Sequence, residues 1–188
     1  MIELINVTKI YKNNKILNDI SVTFDRNLHI IYGNNGSGKS TLLKILSSII
    51  YKTSGSILTT DTISYLPDKF LLPKLLSVDS YINLTIGMEY QYLVDKYKIP
   101  RKLIGNLSKG NLQKVGLLQV LYHKADCYIL DEPLDGLDDE AKILFKEEIK
   151  RLLKDKKIVI MSLHEKNLFS DVIKKEYSIK DGKLYEEN

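Results

Sequence analysis

Residues 33–40 read Gly-Asn-Asn-Gly-Ser-Gly-Lys-Ser, a glycine-rich turn with the pattern G-x-x-x-x-G-K-[ST]. The apolar run Leu28 to Tyr32 stands before it as a short strand. Behind it Leu42, Ile45, Leu46, Ile49 and Ile50 recur at i, i+3, i+4, i+7 and i+8, the spacing of a helix with one buried face. A strand that turns through glycines directly into a helix belongs to an α/β fold, in which the strand lies inside a parallel sheet and the helix covers it. The chemistry accounts for the residue types. Glycines let successive backbone N–H groups converge on phosphate oxygens, and the new helix points its positive end at the same place. Gly33, Asn34, Asn35, Gly36, Ser37, Gly38, Lys39, Ser40 and Thr41 are therefore expected to bind the phosphates of a nucleotide. Lys39 would reach the β- and γ-phosphates, and Ser40 would offer its hydroxyl to Mg²⁺.

The remaining pattern extends this reading. Ile2 to Val7 and Ile20 to Phe24 alternate as strands, Ser54-Gly55-Ser56 reads as a turn, and Thr62 to Leu66 is a strand ending at Pro67. From Asp68 the character changes. Pro67 and Pro73 precede a helix start at Ser77-Val78-Asp79, after which Val78, Tyr81, Ile82, Thr85 and Ile86 keep helical spacing. Ser108 is placed to cap a mostly apolar helix running to about His123. The last third predicts a strand over Cys127 to Leu130 and a helix from Asp138 whose inner face is Phe145, Ile149, Leu152 and Leu153. A strand over Ile158 to Leu163 and a hairpin around Asp181-Gly182 follow. Strands alternating with helices indicate a parallel sheet.

Composition excludes several classes. The 188 residues suit one domain, and 44% apolar content supports a core, while 28% charged residues without low-complexity stretches argue against disorder. A net charge of +4 with interleaved signs carries no nucleic-acid footprint, and no nucleic-acid partner is expected. The single cysteine, Cys127, excludes a disulfide framework, suits a reducing compartment and reads as core packing. Met1-Ile2-Glu3-Leu4 opens directly into strand-like sequence, so no signal peptide is expected. No apolar run approaches the ~18 residues of a membrane span; a membrane role would need another chain to cross the bilayer.

Two acids follow the apolar strand Cys127-Tyr128-Ile129-Leu130. A carboxylate at the tip of a buried strand beside a P-loop can hold Mg²⁺, the role expected of Asp131. Glu132, next along, is placed to orient or deprotonate an attacking water. His164 follows the next predicted strand, on the sheet edge where ligands gather in α/β folds, and is placed to sense a γ-phosphate. His29 and His123 have no such placement and read as structural or merely exposed.

With these residues in hand, the chain resembles an ATP-binding-cassette (ABC) transporter ATP-binding subunit along its whole length. The deciding element is Leu107-Ser108-Lys109-Gly110-Asn111, similar to the family signature Leu-Ser-Gly-Gly-Gln. Physically it is a second helix N-terminus with a capping serine, another anion site in the same chain. The resemblance implies that Ser108 and Gly110 complete the ATP site of a second ATPase subunit in a head-to-tail homodimer or heterodimer. It places Tyr11 against adenine. It also makes Asp131-Glu132-Pro133-Leu134-Asp135-Gly136-Leu137-Asp138 the Walker B strand end and D-loop, with Asp138 reaching across the dimer as well as capping its helix. The implied fold is a P-loop ATPase core with a parallel sheet, an N-terminal antiparallel β subdomain and a short inserted helical subdomain over about residues 69–120, all within one nucleotide-binding domain spanning residues 1–188.

Two departures stand out. Asp68, in Tyr65-Leu66-Pro67-Asp68, replaces the glutamine of the Q-loop, where it could contact Mg²⁺ or water. Lys109 and Asn111 replace the signature's first glycine and its glutamine. This relaxed signature leans toward exporter-type subunits. The implied function is ATP hydrolysis, to ADP and phosphate, that drives a separate membrane permease docked around Asp68 to Tyr81. The cassette would then be cytoplasmic and peripheral on the inner face of the cell membrane. A soluble, non-transport ABC ATPase is the alternative. A P-loop kinase leaves Ser108, Gly110 and His164 without a role.

Overall fold

The computed structural model describes residues 1–164 and 168–187. Its centre is a six-stranded sheet in the order β5(Ile63–Leu66), β6(Cys127–Leu130), β7(Ile158–Ser162), β3(Leu28–Tyr32), β8(Lys174–Lys180), β9(Lys183–Glu187). The strands from β5 to β8 are mutually parallel, and β9 returns antiparallel through the expected turn at Asp181 and Gly182. All residues of β3, β6 and β7 are buried, as strands covered on both faces must be.

Period-two alternation divides these strands between two cores. Cys127, Ile129, Ile158, Ile160 and Ile31 pack with α1(Lys39–Leu46) and the N-terminal strands. Tyr128, Leu130, Val159, Met161 and Ile30 pack on the opposite face with α4(Lys109–Tyr122), α5(Asp139–Lys154) and the segment between β5 and β6. That segment also carries α2(Val78–Thr85) and α3(Gln91–Lys96). The helix starts follow the caps visible in sequence. Ser77 Oγ accepts from Ser80 N–H at 3.1 Å, and Asp138 Oδ1 from Ala141 N–H at 2.8 Å. Among the described residues no helix is long and apolar enough to cross a membrane.

A second, antiparallel sheet has the order β2-β1-β4. Here the structure departs from the sequence expectation. β1 runs from Ile2 to Tyr11 and β2 from Asn14 to Phe24, joined by Lys12 and Asn13 at φ 43° and 68°, the paired positive angles that match strand twist in a tight hairpin. The alternation breaks early because β1 is irregular, with register shifts after Leu4, Val7 and Lys9. Ser54-Gly55-Ser56 is not a turn: it opens β4(Ser54–Leu58), paired with β1. Gly55 sits at φ +87° opposite the irregularity at Asn6, where a Cβ would lie 2.3 Å from the Asn6 carbonyl oxygen. The glycine serves a close strand-to-strand approach. Helix α1 is also shorter than its apolar spacing suggests. It ends at Leu46, Ser48 turns left-handed at φ 56°, and Ile49 is exposed.

Gly55→Ala should destabilise the protein by at least ~1–2 kcal/mol from left-handed strain alone, with more from the Asn6 contact. Urea denaturation should show a lowered midpoint, whereas Ser56→Ala should leave it nearly unchanged.

Candidate active site

Because β3, β6 and β7 are parallel, the P-loop, the Asp131-Glu132 pair and His164 all leave the sheet at one edge. A cleft of about 410 Å³ there is lined by Tyr11, Ile16, Asn35, Gly36, Gly38, Lys39, Ser40, Thr41, Asp68 and Glu132. Gly38 starts α1 at φ +107°, and a Cβ on it would lie 2.9 Å from Leu17 Cδ2 and 3.2 Å from the Ile16 carbonyl oxygen. Only glycine fits that crossing of loop and β2. Lys39 is buried, and its Nζ donates to the Gly33 carbonyl at 2.7 Å and the Asn34 carbonyl at 3.4 Å. The lysine curls into the loop that it serves.

Glu132 lies between Lys39 and His164. Its Oε1 is 3.8 Å from Lys39 Nζ and 2.8 Å from His164 Nε2. Its backbone is left-handed, at φ 51°, an uncommon conformation for a non-glycine residue and one that clusters at functional sites. Asp131 is fully buried. Its Oδ1 accepts from Ser162 Oγ at 2.7 Å, while Oδ2 is buried with no hydrogen-bond partner among the described residues. Ser37 Oγ is likewise buried without a partner. A buried carboxylate oxygen without a donor is costly in a folded protein unless something else satisfies it, so the residues present fit a hard cation and phosphate oxygens.

Among the described residues no three carboxylate, histidine or cysteine side chains converge as a metal cage. Tyr65 Oη is another buried atom without a partner, and burial, followed by the charges of Asp131 and Asp68, pushes its pKa up.

Ser108 and Gly110 line no part of this cleft. Ser108 Oγ caps α4 by accepting from Asn111 N–H at 3.4 Å. Gly110 packs so closely on the D-loop that a Cβ would lie 2.5 Å from the Gly136 carbonyl oxygen. Lys109 Nζ pairs with Asp135 at 2.6 Å, and Lys114 Nζ with Asp138 Oδ2 at 2.7 Å. Asp138 therefore caps α5 and pairs within its own chain; the Lys114 ammonium, then the Ala141 N–H, hold its pKa below the usual carboxylate value.

Comparison with known proteins places this geometry. Residues 17–135 match the family described as ABC transporter. An uncharacterised ABC transporter ATP-binding protein of Methanocaldococcus jannaschii is 32% identical over 97% of this chain and 75% of its own length. The chain belongs to the ABC transporter family. The zinc import ATP-binding protein ZnuC of Rickettsia bellii is 31% identical, over 87% of this chain and 75% of that protein. The dimeric, post-hydrolysis structure of the ATP-binding cassette MJ0796 bound to ADP and phosphate superposes with a TM-score of 0.87. It covers 100% of this chain and 98% of that one at 22% identity, a likeness of fold.

In this ABC transporter family member, sequence reasoning singled out the P-loop, both acids and His164, and the structure brings them to one sheet edge. It missed Ser162, whose hydroxyl touches both acidic residues. The available signal was a lone hydroxyl in an otherwise apolar strand, two positions before His164. His29 is a core residue. Its Nε2 lies 3.1 Å from the Asp25 carbonyl, its ring meets Phe24 edge-on, and burial lowers its pKa. Cys127 is buried, and burial pushes its thiol up.

Removing the Lys39 ammonium removes a charge-assisted contact worth about 1.5–3 kcal/mol. Lys39→Ala should therefore weaken ATP binding roughly 10–100-fold and abolish turnover, as equilibrium binding and phosphate release would show.

Proposed function

We propose that the chain is the ATP-binding and ATP-hydrolysing subunit of a transporter, with ATP lying from Tyr11 along the P-loop and its γ-phosphate facing Glu132. The reading rests chiefly on the Lys39–Glu132–His164 constellation at the mouth of the P-loop. Backbone N–H groups of residues 33–41 and Lys39 hold the phosphates. Glu132 orients the water and accepts its proton, held on one side by His164, which also meets the γ-phosphate. Ser40 and Asp131, with Asp68 at the rim of the same cleft, would hold Mg²⁺. Held by those residues, the ion would supply positive charge against the negative charge of the phosphates.

Ser108 and Gly110 serve the cleft of a second ATPase subunit, which explains why a second anion-binding helix end stands apart from this chain's own P-loop. The dimeric MJ0796 cassette, sharing this fold, supports that arrangement. A membrane permease would dock on the groove formed by Phe70, Leu72, Ile104 and Leu112, beside Leu71 and Leu75, which are 94% and 89% exposed. Work at the inner face of the cell membrane follows from that partner.

Glu132→Gln keeps the shape of the side chain and removes the base. It should lower turnover roughly 10²–10⁴-fold while ATP binding persists, and size exclusion with ATP should show an accumulated dimer. Normal hydrolysis by this variant would refute the assignment of the base. Affinity purification from solubilised membranes should recover a multi-span protein, and its loss on replacing Leu71 and Leu75 together by Asp would locate the docking groove.

A further inference from the structure

Ser162 ends β7, a strand whose other residues, Ile158 to Met161, are all apolar and buried. A fully buried hydroxyl at that position is costly unless both its donor and its acceptor capacity are used. Both are. Ser162 Oγ donates to Asp131 Oδ1 at 2.7 Å and accepts from the Glu132 backbone N–H at 2.8 Å. The direction is fixed, since the hydroxyl has one proton and the peptide N–H can only donate.

We propose that Ser162 is a positioning residue whose single hydroxyl sets the aim of both acidic groups of the ATPase site; this rests on the hydrolytic reading of Asp131 and Glu132. The register explains how. Leu130 pairs with Met161 across β6 and β7, so Asp131 and Ser162 are the next residues on each strand. Asp131 N–H is spent on the Leu66 carbonyl of β5. Beyond that point the chain leaves the sheet, and the Ser162 side chain takes over where the strand ladder stops.

Two consequences follow. Occupying Oδ1 of Asp131 locks the carboxylate's rotation and leaves Oδ2 as the oxygen available to a cation. Holding the Glu132 N–H pins the peptide that gives Glu132 its left-handed backbone, and with it the direction in which its carboxylate meets Lys39 and His164. An alanine would free both acids at once. Among the described residues the Ser162 hydroxyl bonds to the two acidic residues and Lys39 bonds to its own loop and Glu132, so nucleotide binding without metal should be indifferent to Ser162.

The test compares wild type with Ser162→Ala by ATP turnover and by equilibrium dialysis of labelled ATP, in EDTA and across a Mg²⁺ titration. Ser162→Ala should bind ATP in EDTA within about twofold of wild type and lose roughly 10–100-fold in kcat, the scale of a small misplacement of reacting groups. It should need several-fold more Mg²⁺ to reach its full affinity. Wild-type kcat and Mg²⁺ dependence in the variant would overturn the proposal. So would an equal loss of ATP binding with and without Mg²⁺, which would mark a merely structural role. Should Ser162→Ala not fold, the near-isosteric Ser162→Cys, a poor hydrogen-bonding partner, is judged by the same outcomes. Absence of ATP hydrolysis by the wild-type protein would instead count against the parent reading.

Discussion

Three parallel strands buried on both faces, β3, β7 and β6, hold the P-loop, the acidic pair and His164 in place. Each is covered by α1 and the N-terminal strands on one side and by α4 and α5 on the other, so none can slip register without exposing a row of Ile, Leu and Val. Their C-terminal ends are consequently fixed relative to one another. The loop after β3 carries the phosphate cradle, the chain after β6 carries Asp131 and Glu132, and the chain after β7 carries His164. Groups remote in sequence meet because their strands are neighbours.

On that frame the site stores polar groups in unfavourable surroundings. A buried ammonium is satisfied by two carbonyls of its own loop, a buried carboxylate has one oxygen bonded and one unpartnered, and the next residue is held left-handed. Such groups are preorganised for charge arriving from outside, and they need no rearrangement of solvent when it arrives. Binding of the matching ligand relieves those costs, so ligand and fold are thermodynamically linked.

The signature segment is built differently. Its helix end is free of the cleft and fastened to the D-loop by the Gly110–Gly136 approach, the Lys109–Asp135 pair and the Lys114–Asp138 pair. The first of the two ion pairs is exposed, and such pairs contribute only about 0–1 kcal/mol. The close glycine packing and the less exposed Lys114 therefore do more to hold the two segments together. Lys109, where the family signature has glycine, thus has a partner inside its own chain.

Local rules made much of this legible from sequence. The P-loop pattern with a strand before and a helix after, the caps at Ser77, Ser108 and Asp138, and the apolar strand ending in Asp131-Glu132 depend on short-range chemistry, and each is found where its residues indicate. At Gly55 the short-range pattern failed because a distant strand intervened, and after Leu46 it failed because the helix closes on its own last turn at a left-handed Ser48. Gly55 resembles a turn residue until β1 is seen passing 2.3 Å from where its side chain would be, and Ile49 keeps helical spacing beyond a helix that has already ended. Ser162 needed the tertiary structure most, because a lone serine in an apolar strand acquires meaning only when register sets it beside Asp131. Spacing along the chain therefore determined the chemistry available to this protein. Strand order and register, set by burying both faces of one sheet, decided which of those groups stand within hydrogen-bonding reach.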